Sequence, residues 1–123
     1  FDVFHYDEMV DLFTPDGVWH RQGKALQGRE AMLAVLRERS ATQIVRHVIT
    51  NIEISAIDGD HARALLYVTA YGLDPGAAPV ETPMIASPTL LLTVPGTLVR
   101  TDAGWRMTEL TMTRTFVFGN RGR

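Results

Sequence analysis

The spacing of apolar residues changes from a helical period to a strand period about a third of the way along the chain. Over residues 6–13 and 29–40, apolar side chains recur at the spacing of one helix face. In the second segment these are Met32, Leu33 and Leu36. Farther on, apolar and polar residues alternate, which is typical of β-strands. The pattern predicts two helices followed by a sheet.

Turn signals set the limits of the predicted elements. Thr14-Pro15-Asp16-Gly17 is predicted to end the first helix. Asp58-Gly59-Asp60 and Asp102-Ala103-Gly104 have the composition of tight hairpin turns. The proline-rich residues 74–88 are predicted to form a loop near the mouth of any cavity. Pro95-Gly96 predicts a bulge or a bend in the third long strand. The predicted strands are 18–21, which is short, and then 43–57, 61–73, 89–101 and 105–118.

This order of elements indicates an α+β fold in which helices lie on one face of a curved antiparallel sheet. A sheet bent around helices forms a cone-shaped barrel with an internal apolar pocket, and small-molecule sites favour such concavities. Even positions of strand 61–73 are small or apolar, which leaves room for a ligand or admits helix packing. We expect that face to line the cavity, and the odd face, with Tyr67, Thr69 and Tyr71, to form an oligomer interface. The chain length fits one domain over residues 1–123.

Composition narrows the classes of function. The formal net charge is −2, from 12 Lys and Arg against 14 Asp and Glu, so electrostatics give no reason to expect a nucleic-acid partner. The chain has no cysteine, which excludes disulfides, thiol catalysis and cysteine-ligated metal and fits a cytoplasmic location. No apolar run approaches the roughly 18 residues of a membrane span. The 4 histidines show no metal-site spacing, so no metal is predicted.

His47 is the main candidate for chemistry, because it lies on the same strand face as Val45, Ile49 and Asn51. An imidazole ordinarily titrates near neutral pH and can carry a proton. If Asp2 accepted the Nδ1–H of His47, the tautomer would be fixed and Nε2 would be left as a base. Alternatively, Asp2 caps a helix or pairs with an arginine, and His47 is a hydrogen-bonded core residue. Both interpretations are open from the residues alone.

Four short motifs follow one another along the chain. They are Phe1-Asp2 ahead of Tyr6-Asp7, Leu12-Phe13-Thr14-Pro15-Asp16-Gly17-Val18-Trp19, Gly28-Arg29-Glu30-Ala31-Met32, and His47-Val48-Ile49-Thr50-Asn51 followed by Asp58-Gly59-Asp60-His61-Ala62. In order and spacing, and with a Gly-Trp turn near residue 104, they resemble the SnoaL-like branch of the nuclear transport factor 2-like superfamily. The resemblance implies the cone-shaped α+β fold. It also leads us to expect a first helix of which only the end is present here.

Within that superfamily the chain is similar to scytalone dehydratase and hexachlorocyclohexane dehydrochlorinase, which are β-eliminating lyases with an Asp–His dyad. The resemblance implies that Asp2 and His47 occupy the dyad positions. The chain departs from scytalone dehydratase at three positions. Two tyrosines of that enzyme would fall at Phe1 and Arg21, and its second histidine would fall near Gly72, so none of the three is retained. Activation of a substrate through two phenols is therefore not expected.

Resemblance and residue chemistry together predict a lyase or isomerase, independent of metal and organic cofactors, that abstracts a proton from a small, largely apolar, cyclic substrate. An alternative stays open, because a non-catalytic small-molecule binding or association domain of the same fold would contain the same residues. We expect a homo-oligomer, a dimer or trimer, with a small apolar molecule as partner and neither nucleic acid nor membrane. The predicted catalytic residues are Asp2 and His47, and the predicted substrate contacts are Phe13, Trp19, Ile49, Asn51, Leu66 and Val68.

Overall fold

Seven strands and two short helices make up residues 1–119, the part of the chain that the computed structural model describes. All strands belong to one curved, unclosed sheet with the order β2-β1-β6-β5-β4-β3, and β7 pairs with β5. This architecture confirms the predicted α+β class. The elements are α1 (Tyr6–Val10), β1 (Phe13–Arg21), β2 (Lys24–Gln27), α2 (Arg29–Leu36), β3 (Ile44–Ala56), β4 (His61–Leu73), β5 (Leu90–Thr101), β6 (Gly104–Thr111) and β7 (Thr113–Val117).

The first strand begins earlier than the sequence predicts, and the predicted turn at residues 14–17 is wrong. These residues lie inside β1, whose pairing with β6 shifts register between Phe13 and Val18. Gly17 permits the irregularity, since a Cβ there would lie 3.1 Å from the Cβ of Phe13 and from the carbonyl oxygen of Thr14. β1 runs parallel to β6, whereas every other strand pair is antiparallel. Helix α1 is correspondingly shorter than predicted and ends at Val10.

The predicted bulge in the third long strand lies instead on its neighbour. Thr97 of β5 pairs with Glu109 of β6 and Leu98 pairs with Met107, so β6 carries one extra residue. Close packing against β6 accounts for the glycine at position 96, because a Cβ there would lie 3.1 Å from Leu110 Cδ1. The predicted last strand is also divided, into β6 and β7.

A second bulge, in β3, changes which side chains face inward. Thr50 pairs with Tyr67, but the next pair is Glu53 with Leu65, so two β3 residues oppose one residue of β4. Asn51 sits at this point with a φ of 54°, in the left-handed region. Asparagine is one of the few residue types other than glycine that adopts this conformation readily. Past the bulge, the alternation of faces along β3 is reversed.

Two apolar clusters fill the inner face of the sheet, the face that the helices cover. The larger cluster joins the helices to β1 and β2, and the smaller one lies on β4 and β5. Leu110 and Met112 pack against both and connect them. The buried members are Val10, Phe13, Trp19, Leu26, Met32 and Leu36 in the first, and Val68, Leu92 and Val94 in the second.

The helices cover only the β1–β2 half of the inner face. Helix α2 contacts α1, β1 and β2, and the Arg29 guanidinium ties it to β1 by donating to the Phe13 carbonyl at 3.1 and 2.5 Å. The edge strands β2 and β3 both contribute residues to one cavity. The curvature of the sheet therefore brings its two edges to the same space.

The left-handed conformation at Asn51 predicts an asymmetric response to substitution. Asn51→Val should lower the free energy of unfolding by about 1–2 kcal/mol, because a β-branched side chain is strained at positive φ. Asn51→Gly should be nearly neutral. Urea denaturation of both variants measures the difference, and equal stability of the two would contradict the assigned bulge.

Candidate active site

Asp2 and His47 lie in contact although 45 residues separate them. The Nδ1 of His47 hydrogen-bonds one carboxylate oxygen of Asp2, and the backbone N–H of His47 donates to the other oxygen at 2.8 Å. An ionised carboxylate can only accept, so Nδ1 is the protonated nitrogen of the neutral ring. Both side chains are about three-quarters buried, with 23% of His47 and 24% of Asp2 exposed. The pair is therefore held at two points, and Nε2 is the nitrogen left without a partner among the described residues.

A tight turn at the amino-terminal end of the described chain carries Asp2 to β3. The N–H of Phe4 donates to the carbonyl oxygen of Phe1 at 3.1 Å, and Phe4 has a φ of 65°. Helix α1 begins only at Tyr6, with His5 at its N-cap and no side-chain cap. Within residues 1–119, Asp2 thus neither caps the helix nor pairs with an arginine, which were the alternatives from sequence.

The surroundings of Asp2 favour its ionised form. Burial acts to raise the pKa of the Asp2 carboxyl, but the hydrogen bonds from the ring and backbone of His47 oppose it. The charge of an imidazolium at His47 acts in the same direction as these hydrogen bonds. Together they hold the pKa of Asp2 below its ordinary value. An ionised Asp2 can stabilise the positive charge that His47 gains when it takes up a proton.

The ring of Phe1 packs against the imidazole. Its centroid lies 5.0 Å from that of His47 in an edge-on arrangement, and 6.5 Å from that of Trp19. The guanidinium of Arg39 covers the same ring, with Cζ 3.8 Å from its centroid. Arg39 is held in turn by Tyr6, whose hydroxyl accepts from Nη1 at 2.5 Å. Phe1 therefore restricts the orientation of His47 by packing against its ring.

His47 lines a cavity of about 510 Å³. This volume is within the range of small-molecule sites. Ala70 and Gly72 of the even face of β4 also line it, as predicted, but so does Tyr71, which was predicted to lie on the odd, outer face. The apolar wall consists of Phe1, Leu26, Val35, Val45, Ala70 and Leu90. The polar wall consists of Arg21, Gln22, Lys24, Glu38, Arg39, Gln43, Tyr71 and Thr89.

The six predicted substrate contacts lie outside the wall of this cavity. Phe13 and Trp19 are buried in the larger core cluster, where Phe1 and Arg21 separate Trp19 from the cavity. Val68 is buried in the smaller cluster and Leu66 packs against it. Ile49 is 53% exposed, and Asn51 is exposed at the β3 bulge. Their binding roles stay predictions, and other residues form the wall beside His47.

Arg21 and Arg39 are two charged cavity residues that the sequence-based site did not include. Arg21 follows Trp19 by two positions on β1, so strand periodicity places it on the inner face. Arg39 lies three positions past Leu36, the buried last residue of α2. Periodicity alone does not distinguish a charge that faces a cavity from one that faces solvent.

Other site types find no support in residues 1–119. No group of three or more histidine, aspartate or glutamate side chains there is arranged to hold a metal ion. Within the same residues, no helix has the length and hydropathy needed to cross a membrane.

Comparison with known proteins identifies the fold. The chain matches the SnoaL-like domain family over residues 1–111. No curated protein sequence matches it. A candidate scytalone dehydratase from Novosphingobium aromaticivorans has a TM-score of 0.79 at 19% identity, covering 99% of this chain and 78% of that one. An NTF2-like protein with a cystatin-like fold from the same organism has a TM-score of 0.76 at 19% identity, covering 93% and 71%.

A third similar structure contains a ligand. A protein from Catenulispora acidiphila, solved in complex with S-DNPA, has a TM-score of 0.72 at 24% identity, covering 92% of this chain and 81% of that one. At such identities the likeness of all three structures shows the fold alone.

The lowered pKa of Asp2 predicts a pH-dependent contribution to stability. Because the folded pKa lies below the unfolded value of about 3.9, the ionised carboxylate stabilises the fold above that pH. The contribution is lost as pH falls through the folded pKa. Asp2→Asn should lower the unfolding free energy at pH 7 by about 1–3 kcal/mol, and the loss should shrink below about pH 4.

Urea denaturation between pH 3 and pH 7 measures this dependence. Asp58→Asn is the matched control, because Asp58 also pairs with a histidine, His61, but on the surface. The control should change stability less at pH 7. A loss for Asp2→Asn that is independent of pH would contradict the assigned ion pair.

Proposed function

The chain belongs to the SnoaL-like domain family, and from that premise we propose that it is a cofactor-independent lyase or isomerase. His47 is the general base, and Asp2 fixes its tautomer and stabilises its protonated form. The substrate is a small cyclic compound with a C–H bond next to an activating group such as a carbonyl. The observation that carries the proposal is the two-point contact between Asp2 and His47 at the edge of a cavity.

The steps need only the residues of the dyad. Nε2 of His47 takes a proton from carbon, and the electron pair of that C–H bond forms a double bond. In a lyase the bond to a β-leaving group breaks, and the imidazolium returns its proton to the leaving group when that group is hydroxide. In an isomerase the proton returns to a different carbon. A positioned base of this kind accelerates proton transfer by typically 10²–10⁴-fold.

The apolar part of the cavity suits the body of such a substrate. Val45 and Ala70 lie beside His47, and Leu90 pairs with Ala70 across the sheet. The next cross-strand pair along the inner face is Ile49 with Val68. A longer substrate that extended past His47 along the sheet would meet the exposed Ile49, whereas Val68 is already covered by its core neighbours.

A non-catalytic binding domain is the second candidate. The complex of the Catenulispora acidiphila protein with S-DNPA favours it, since that protein binds a small molecule with the same fold. Under this alternative the cavity would hold a ligand without turnover. Under either function we propose a cytoplasmic homo-oligomer, a dimer or trimer, paired through the outer face, where Tyr67 is 39% exposed.

Exchange of a carbon-bound proton tests catalysis before the physiological substrate is known. In D₂O, the protein should accelerate loss of the activated C–H signals of 2-tetralone, a small bicyclic ketone, as followed by proton NMR. His47→Gln should reduce the acceleration by about 10²–10⁴-fold, because the base is removed. Asp2→Asn should reduce it less, since the base remains while its orientation is lost.

His61→Gln is the matched control, because His61 also pairs with an aspartate but lies on the surface. It should exchange at the wild-type rate. Wild-type exchange no faster than buffer, or an unchanged rate in His47→Gln, would contradict the catalytic proposal and leave the binding domain.

A further inference from the structure

Two guanidinium groups line the cavity beside the dyad. Arg21 ends β1, and its Cζ lies 5.4 Å from the ring centroid of Trp19 and 5.8 Å from that of Phe1. Arg39 covers Phe1 at 3.8 Å. Since the ring of Phe1 also packs against His47 at 5.0 Å, both positive charges are near the proposed base.

Neither guanidinium has a carboxylate partner within 4 Å among the described residues. Arg29, Arg37 and Arg100 each have one. Within residues 1–119, Arg46, Arg63 and Arg114 also have none but are exposed, whereas Arg21 and Arg39 are half-buried. Among these residues Arg39 makes side-chain hydrogen bonds only through Nη1, to Tyr6 and to the Phe1 carbonyl. In the same part of the chain, Arg21 makes no side-chain hydrogen bond that meets standard geometry. Most of their ten N–H donors are therefore free to bind a ligand.

The electrostatics of this pair favour an anion. Burial, followed by the charge of Arg39, lowers the pKa of the Arg21 guanidinium, which still remains charged at neutral pH. Lys24 adds a third cation to the wall, and Glu38 is the one anionic side chain among the described residues that line it. Asp2 directs both of its oxygens to His47 and makes no contact within 4 Å with either guanidinium in residues 1–119. The residues of the wall therefore carry more positive than negative charge.

We propose that Arg21 and Arg39 form a carboxylate-binding subsite and that the ligand is a small ring compound with a carboxylate. The planar fork of arginine matches the two oxygens of a carboxylate, and the apolar wall accepts the ring. The inference rests on the proposed function only in taking this cavity as the substrate site. It changes the expected substrate from a largely apolar molecule to an apolar ring that carries an anionic group.

The test compares 2-naphthoate with its neutral analogue 2-naphthamide by isothermal titration calorimetry. The wild-type protein should bind the carboxylate at least tenfold more tightly, and the difference should shrink as salt is added. Arg21→Gln should remove most of this preference and leave the affinity for the amide unchanged. Arg39→Lys should keep part of it, since the charge remains while the planar fork is lost.

Arg100→Gln is the matched control, because Arg100 also lies over an aromatic ring, that of Trp105, but away from the cavity. It should leave both affinities unchanged. Thermal unfolding checks that the variants are folded, and Arg21, whose side chain makes no hydrogen bond within residues 1–119, should tolerate replacement. Equal wild-type affinity for the two ligands, no binding of 2-naphthoate, or an undiminished preference in Arg21→Gln would each overturn the subsite.

His47→Gln separates this inference from the proposed function. It should keep the preference for 2-naphthoate over 2-naphthamide while losing C–H exchange, because the imidazole is not one of the anion ligands. If the wild-type protein prefers 2-naphthoate but does not catalyse C–H exchange, the subsite is supported and the catalytic proposal is contradicted. If it catalyses exchange but does not prefer 2-naphthoate, only the subsite is contradicted.

Discussion

The hydrogen bonds between Asp2 and His47 connect the amino-terminal segment of the chain to an edge strand of the sheet. The segment contributes more than the carboxylate, because the same turn places Phe1 over the imidazole and under Arg39. One wall of the cavity, the orientation of the proposed base and the position of one guanidinium therefore all depend on this contact. Its geometry also explains why a short, irregular segment is three-quarters buried at Asp2.

The curvature of the sheet places the contact between Asp2 and His47 at the edge of a cavity. Because the sheet does not close, its edge strands β2 and β3 face a common space that the helices only partly cover. Apolar side chains of β3, β4 and β5 form one wall, and the β1–β2 hairpin brings Arg21 and Lys24 to the other. Under the proposed function, a proton acceptor between an apolar wall and a wall of net positive charge suits a ring compound that develops negative charge as it loses a proton.

Periodicity and turn residues are local signals, and they predict two helices and the long strands, though not β2 or the division of the last strand. The contact between Asp2 and His47 was expected only from the family motifs. The sequence was not sufficient for the cavity wall. Whether Trp19 reaches a cavity depends on Phe1 and Arg21, which cover it from distant parts of the chain. The bulge at Asn51 arises from the pairing of β3 with β4. It interrupts the strict alternation of inward and outward side chains from which Asn51 was predicted to face inward. Burial at these positions is a tertiary property that period-two patterns do not contain.

The central claim is that Asp2 fixes His47 as the Nδ1–H tautomer with Nε2 unprotonated. Long-range proton–nitrogen NMR of the protein labelled with ¹⁵N-histidine measures this directly, at a pH where the ring is neutral. The account predicts that Nδ1 of His47 carries the proton and that Asp2→Asn abolishes this preference. A neutral His47 protonated at Nε2 in the wild type would contradict it.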